Sequence, residues 1–334
     1  MPLCLDDRAA EPVVGGVPPD DVGTRPAREA DAERHCIDIG LVNNMPDSAL
    51  LATERQFATL LAAASGRHRI RLHRLSLPTV ARGDAAAAHI QQHYVPFERL
   101  ADRPLRALIV TGCEPRAASL RDEPYWDSLR HLVDWAERNT VSTLWSCLAA
   151  HAAVLHLDGI ERRPLPHKRS GVFAFEPDGD HPLLAGASPR IEVPHSRLND
   201  IAAADLRQHG YQVLTASTEA GVDLFVRQGR SAFVFFQGHP EYEPDSIARE
   251  YRRDVSRFLR GERADYPALP QHYFDQATRL ALGAFEQLAM ADRTALALRD
   301  LPRQLGLRDG LAAQWQATVL PIFRNWIDGL AEAV

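Results

Sequence analysis

The stretch from Phe233 to Pro244 reads FVFFQGHPEYEP. Four residues suited to a buried strand, Phe233 to Phe236, run into Gly238, His239, Pro240 and Glu241. In an extended chain, residues i and i+2 point to the same side, so His239 and Glu241 can meet at a strand end. A carboxylate beside a histidine orients the ring and stabilises its protonated form. Such a pair asks for a nucleophile, and Cys147 is the candidate. It stands where the strand-like STLW (Ser142–Trp145) meets the helical pattern Cys147–Gly159. Parallel sheets bind ligands at the carboxyl ends of their strands. A helix N-terminus favours a thiolate through its dipole. The same turn aims the backbone N–H of Leu148 as one half of an oxyanion hole. Thiolate, histidine base and carboxylate together support acyl transfer through a thioester. A lone cysteine between strand and helix is more often a small core residue. The separate Gly-His-Pro-Glu strand end is what turns the reading towards chemistry.

The elements that must position these groups alternate along the chain. Strand patterns occur at Ile37–Asn44, His68–Leu77, Ala107–Gly112 and Val141–Ser146. Helical patterns fall between and after them, at Leu50–Ser65, Pro124–Asn139 and Cys147–Gly159, with Gly66 and Gly159 as stops. This alternation predicts an α/β fold with a mostly parallel sheet covered by helices on both faces. Later strand-like stretches, SGVFAFE, GYQVLTAS, VDLFVRQ and SAFVFFQ, are separated by several hairpin-length spacers. Residues 246–260, 270–300 and the QWQATVLPIFRNWIDGLAEA end read as helices. Residues 1–33, rich in Pro, Gly, Asp and Ala, are expected to form a mobile tail. The domain that carries the site is expected over 34–262, with 263–334 as a helical addition packing on it.

Composition narrows the function classes. Hydrophobic residues make up 45% and charged residues 25% of 334, the balance of an ordinary globular chain. A net charge of -6 argues against nucleic acid as the main partner. The four cysteines, Cys4, Cys36, Cys113 and Cys147, form no C-x-x-C pair, so neither a zinc site nor a disulfide framework follows. A reducing cytoplasm is the simplest expectation. No secretory signal and no membrane span is expected. His151 and His156 lack clustered carboxylates or thiols at ligand spacing, so no metal is expected. No Gly-rich phosphate loop supports nucleotide hydrolysis.

Several stretches together resemble the homoserine O-acyltransferase family, whose fold is similar to class I glutamine amidotransferases. They are NNMP with TERQF, ALIVTG followed at family spacing by YW, STLWSC, LPHKRSGVF, VPHSR, GHPEY with EYRRD, and FRNW near the end. The resemblance covers roughly residues 37–260 and the final turns. It implies a flavodoxin-like or amidotransferase-like core with a C-terminal helical addition. It also implies roles: Cys147 as nucleophile, His239 as general base and Glu241 as its orienting carboxylate. Lys168, Ser196 and Arg253 match substrate-binding positions, and an arginine fork suits an amino-acid carboxylate. Read from the residues alone, Lys168 is equally a solvated lysine, Ser196 a turn residue, and Arg253 a partner of Glu250 or Asp254. His195 is expected to be structural, or to orient a neighbouring site residue.

The implied reaction is ping-pong transfer from acyl-CoA to the hydroxyl of L-homoserine, giving O-acylhomoserine for methionine biosynthesis. Acyl-CoA is a co-substrate, and no cofactor is implied. Arg116 falls by count on the position linked in the family to donor choice. Glycine there goes with succinyl use and glutamate with acetyl use. The size of arginine argues for a small acyl group and its charge for the distal carboxylate of succinyl-CoA, which is the donor expected over acetyl-CoA; an arginine turned to solvent would select neither. The chain departs from the family pattern at Asp47 and Ser48, where a lysine pair is usual. It departs again at Leu148–His151, where Trp-Gly-Ala-Gln is usual and Ala149 is less permissive of a tight elbow. Three alternatives stay open: a glutamine-hydrolysing amidotransferase with the same triad, an acyltransferase acting on serine, and a non-catalytic binding protein. The oligomeric state is open as well, a homodimer included.

Overall fold

A computed structural model of the chain describes residues 3–5, 36–294 and 298–333. In chain order the first elements are β1 (Leu3–Leu5), β2 (Cys36–Val42), α1 (Asp47–Ala64), β3 (Arg69–Leu75), α2 (Asp84–His93) and β4 (Ala107–Val110). α3 (Trp126–Asn139), β5 (Ser142–Ser146), α4 (Leu148–Asp158), β6 (Arg163–Pro177), β7 (Ile191–Asp200) and α5 (Ala203–Gln208) follow. Four short strands come next: β8 (Gln212–Val213), β9 (Thr215–Ser217), β10 (Gly221–Val222) and β11 (Leu224–Arg227). The chain ends with β12 (Ala232–Phe236), α6 (Ser246–Leu259), α7 (Gln276–Ala291) and α8 (Leu311–Glu332). These elements form two compact units. The first comprises Met1–Leu157, Arg227–Val234 and Phe323–Val334; the second comprises Asp158–Val226 and Phe235–Ile322.

The first unit is built on a sheet of order β1-β3-β2-β4-β5-β12, the last strand counted to Val234. Its β1–β3, β2–β3, β2–β4 and β4–β5 pairs are all parallel. The register sets Val42 beside Val110 and Val110 beside Trp145. Parallel strands in register leave the sheet at one edge, so Asn43–Asn44, Thr111–Gly112 and Cys147 all emerge there. The strands are near-continuous apolar runs, as strands covered on both faces require: Ala107–Val110 and Leu144–Trp145 are fully buried. α1 buries Leu50, Phe57, Leu61 and Ala64, an i, i+7, i+11, i+14 stripe. α4 buries every residue from Ala149 to Leu155, as a helix apolar all round must. Gly66 at φ 55° and Gly159 at φ 69° end α1 and α4 in the left-handed conformation expected of C-terminal stops. Asn44 ties the strand ends together. Its N–H donates to Thr111 Oγ1 at 2.8 Å, and its Oδ1 accepts from Leu77 N–H at 3.0 Å. Late in the chain, Trp326 of α8 donates from Nε1 to Ser142 Oγ at 2.9 Å, anchoring the last helix turns.

The tail expected over 1–33 is described at Leu3–Leu5 alone, and there it is a strand. β1 pairs in parallel with Ile70–Leu72. Its remaining residues lie outside the described ones.

The second unit is antiparallel. A four-stranded sheet runs β10-β9-β6-β7, and β11 pairs with β8. β6 and β7 set Ser170 opposite Ser196 and Gly171 opposite His195. Gly171 has φ 145°, and its backbone lies against that of Gln271, a contact no Cβ would permit. Val172 N–H donates to Gln271 O at 3.0 Å, and Gln271 N–H donates to Ser170 O at 2.8 Å. This bridge holds residues 270–275 out of the helix expected over 270–300, which begins only at Gln276. Asp275 caps it, accepting from Thr278 N–H at 2.7 Å. The helical end of the unit closes on an apolar cluster of Tyr251, Val255, Phe258, Leu282, Phe285 and Trp315. Among the described residues, no helix is long and apolar enough to cross a membrane.

Candidate active site

Cys147 occupies the single residue between β5 and α4. Its φ of 52° lies in the left-handed region, shared among described non-glycine residues only with His272. A side chain there costs about 1–2 kcal/mol, a cost the surrounding packing must hold in place. Ser146 and Trp145 before it are buried, and α4 after it is buried from Ala149 to Leu155. Cys147 O accepts from Ala150 N–H at 3.0 Å and His151 N–H at 3.3 Å, which starts the helix. The N–H groups of Leu148 and Ala149 therefore precede the helical ladder and point past its start. The sequence placed the elbow's strain at Ala149. The structure places it on the cysteine itself, and Ala149 is an ordinary buried helix residue.

Gly112, at the exit of β4, lies hard against this turn. A Cβ on Gly112 would come within 2.7 Å of Leu148 Cβ and 3.1 Å of Leu148 N. Beside it, still in the first unit, opens a cleft of about 570 Å³. Asp47, Ser48, Cys113, Glu114, Arg116 and Tyr125 are among its lining residues, and among the described residues that line it Arg116 is the only cation. The loop that carries Arg116 is pinned by a buried carboxylate. Glu123 Oε1 accepts from Arg116 N–H at 2.6 Å and Ala117 N–H at 2.7 Å.

In the second unit the structure brings His239 and Glu241 together. His239 Nδ1 lies 2.9 Å from Glu241 Oε1, and both side chains are buried. The reason differs from the expected one. The two residues are not on an extended strand; Tyr242 N–H donates to His239 O at 3.2 Å, so they meet across a turn. Tyr242 then stacks on the imidazole, with centroids 4.2 Å apart and planes at 17°.

A second cluster gathers two of the expected substrate-binding residues around one carboxylate. Glu250 Oε2 accepts from Ser196 Oγ and lies 3.3 Å from Lys168 Nζ; its Oε1 accepts from Tyr242 Oη at 2.6 Å. Burial pushes the Glu250 carboxyl up, but Lys168, Ser196 and Tyr242 outweigh it and hold it below its ordinary value. Lys168 Nζ also donates to Asp254 Oδ2 at 2.8 Å. Arg253, 40% exposed at its side chain, reaches Asp254 Oδ1 from both Nε and Nη2 at 3.4 Å. Lys168 is thus ion-paired rather than solvated, and Ser196 is inside β7 rather than in a turn. Sequence reasoning missed Glu250 and Asp254 as the hubs. Their i, i+4 spacing, which puts both on one face of α6, was the available signal. Among the described residues, no group of three or more His, Cys, Asp or Glu could hold a metal ion.

The family's sequence model, described as homoserine O-succinyltransferase, matches residues 22–332. The chain belongs to the homoserine O-succinyltransferase family. The match reaches past the stretches that carried the resemblance, taking in α7 and all of α8. A homoserine O-succinyltransferase of Rhodopseudomonas palustris is 56% identical over 303 residues, 91% of each chain. That of Bradyrhizobium japonicum is 52% identical over 295 residues, 88% of this chain and 90% of the other. Among solved structures, a glutamine amido transferase from Methylobacillus flagellatus superposes with a TM-score of 0.50 at 17% identity, covering 88% of this chain and 95% of that one. That likeness is one of fold, and it agrees with the amidotransferase-like core expected from the sequence.

Proposed function

We propose that the chain transfers the succinyl group of succinyl-CoA to the hydroxyl of L-homoserine through a thioester on Cys147. The observation that carries this reading is the left-handed Cys147 at the β5–α4 junction, in a chain whose relatives are named homoserine O-succinyltransferases. The Cys147 thiolate attacks the thioester carbonyl of the donor. The negative oxygen of the tetrahedral intermediate is held by N–H groups at the start of α4, Leu148 first. Collapse breaks the bond to CoA sulfur, which leaves as the thiolate and takes the proton of the His239 imidazolium, leaving that ring neutral. His239, oriented by Glu241, then removes the hydroxyl proton of homoserine. The hydroxyl oxygen attacks the acyl-enzyme, the second tetrahedral intermediate expels Cys147 as thiolate, and O-succinylhomoserine departs. Lys168, Ser196 and Arg253 hold the amino-acid acceptor, with Arg253 on its carboxylate.

Intact-mass spectrometry after mixing with succinyl-CoA, without acceptor, tests the reading. The expected result is a gain of one succinyl group, discharged on adding homoserine. An unmodified chain that hydrolyses glutamine instead would establish the amidotransferase alternative. Discharge by serine in preference to homoserine would reassign the acceptor.

A further inference from the structure

One buried polar group in the second unit takes no part in the steps above, yet it lies under the loop that carries the proposed base. Asp223 stands between β10 and β11 with 1% exposure. Its Oδ1 accepts from Gly238 N–H at 2.8 Å, and its own carbonyl accepts from Gln237 N–H at 3.1 Å. The next amide, that of His239, donates to Pro194 O at 2.7 Å. Three consecutive N–H groups leading to the imidazole are thus all held, two of them by one residue.

His195 completes the support. It is fully buried, and its Nδ1 accepts from Arg197 Nε at 3.2 Å. A guanidinium N–H can only donate, so His195 Nδ1 is unprotonated and the ring is neutral, with its proton on Nε2. That Nε2 lies 3.4 Å from Asp223 Oδ1 and makes no hydrogen bond, so the ring packs on the carboxyl as a neutral wall. The charge of Arg197 is satisfied elsewhere, by Asp200 Oδ1 at 2.7 Å and Ala220 O at 2.6 Å. Gly238 is wedged against this wall: a Cβ there would meet His195 Nε2 and Val193 Cγ1 at 2.7 Å. The loop has no room to relax against this wall and is tied to Asp223 through the Gly238 N–H.

We propose that Asp223, backed by neutral His195, is a positioning residue that fixes the Gly238–His239 backbone and so sets where the imidazole of His239 points. A carboxyl this deeply buried is costly, and an apolar side chain of its size would stabilise the fold more cheaply. What the carboxyl supplies is an acceptor for Gly238 N–H. Burial pushes the Asp223 carboxyl up to about 7 and holds His195 well below its ordinary value, so the pair rests uncharged below neutrality. Arg197, Arg169, His239 and Glu241 are the other charged or titratable groups that act on the two. Acceptance of the Gly238 N–H needs an oxygen, not a charge.

This inference rests on the acyl-transfer reading, and the two can fail separately. The full chain is compared as wild type, Asp223→Asn, Asp223→Ala and Asp223→Ser, with folding checked by circular dichroism. Asparagine keeps the acceptor; alanine lacks it and the serine hydroxyl is too short to reach Gly238. The expected result is a turnover within about threefold of wild type for Asp223→Asn. For a folded Asp223→Ala or Asp223→Ser it is a loss of about 10- to 100-fold in kcat, the size associated with small misplacements of a reacting group, with both KM values within about twofold. A folded non-acceptor variant with wild-type kcat overturns the proposal. So does an asparagine variant as impaired as alanine, or failure of both alanine and serine variants to fold, which would make the residue structural. A wild type that forms no succinyl adduct defeats the acyl-transfer reading instead.

Discussion

The Cys147 elbow and the His239 loop present their groups by opposite means. Cys147 is held by backbone and apolar packing. Trp145, two residues before it, stacks on Phe233 with centroids 5.8 Å apart, and the helix after it buries alanine, valine and leucine. The direction of the sulfur follows from strand register and one left-handed residue. His239 is held by separate polar partners instead: Pro194 O, Glu241, Tyr242, and Asp223 through Gly238. The lesson is one of sensitivity. A position set by topology tolerates changes among its apolar neighbours as long as volume is kept. A position set by individual hydrogen bonds fails when any one is removed, because a buried group left unpaired costs about 1–3 kcal/mol.

The hardest blow to the elbow is chemical rather than structural. Cys147→Ser should leave the melting temperature near wild type while abolishing the mass adduct and lowering turnover by at least ~10³-fold, since a hydroxyl lacks an accessible ionised form. Appreciable turnover in that variant would refute the covalent route. On the other side, His239→Asn should cost on the order of 10²–10⁴-fold. Glu241→Gln should cost less, because the amide still accepts from the ring. Measured kcat values in the reverse order would mean that the carboxylate, not the ring, moves the proton.

The same contrast governs what the sequence revealed. The alternating elements from Ile37 to Gly159 were legible because apolar periodicity and glycine stops are local properties, and the position of Cys147 followed from them. His239 and Glu241 were legible as a pair by spacing, although a turn and not an extended strand brings them together. β7 was not legible as a strand. Pro194, His195 and Arg197 break its apolar pattern, and their partners Asp223 and Ala220 come from elsewhere in the chain. α2 escaped because of its helix only Ala86 is buried, leaving no stripe to read. Glu250 stood out least, since its three partners Lys168, Ser196 and Tyr242 lie on separate segments and look unrelated along the chain.

Glu250 sharpens the comparison through pH. Its carboxyl is held below the ordinary value, so the native state binds fewer protons there than the unfolded chain does. That contribution to stability is fully present above the ordinary carboxylate range and is lost as pH falls through the lowered folded value. Glu250→Gln should lower stability at neutral pH by about 1–3 kcal/mol, the range for losing charge-assisted hydrogen bonds, because the pair is partly exposed and Lys168 keeps Asp254 as a partner. It should also flatten the acid limb of a stability-against-pH curve from urea unfolding. An unchanged acid limb would show that Lys168 and Ser196 do not depend on this carboxylate.

The smallest expected effect concerns donor choice. The elbow, the Leu148 N–H and the Arg116 cleft all belong to the first unit, whereas Lys168, Ser196 and Arg253 belong to the second. If donor handling belongs to the first unit, a charge change in that cleft should alter the first half-reaction alone. Asp47, Glu114 and Glu123 line the cleft with Arg116, and Asp47 is paired with Arg82 at 3.3 Å, so Arg116 is the cation among the lining residues that would receive a second carboxylate. The distal carboxylate of a succinyl chain gains about 1.5–3 kcal/mol from a charge-assisted bond to a guanidinium. Arg116→Glu should therefore cut kcat/KM for succinyl-CoA by about 10- to 100-fold and leave acetyl-CoA within a few-fold, with homoserine KM unchanged. The backbone N–H of residue 116 that binds Glu123 survives the substitution, so the loop keeps its anchor. Equal losses with both donors would instead assign Arg116 to the shape of the loop, and the preference for succinyl would need another cation.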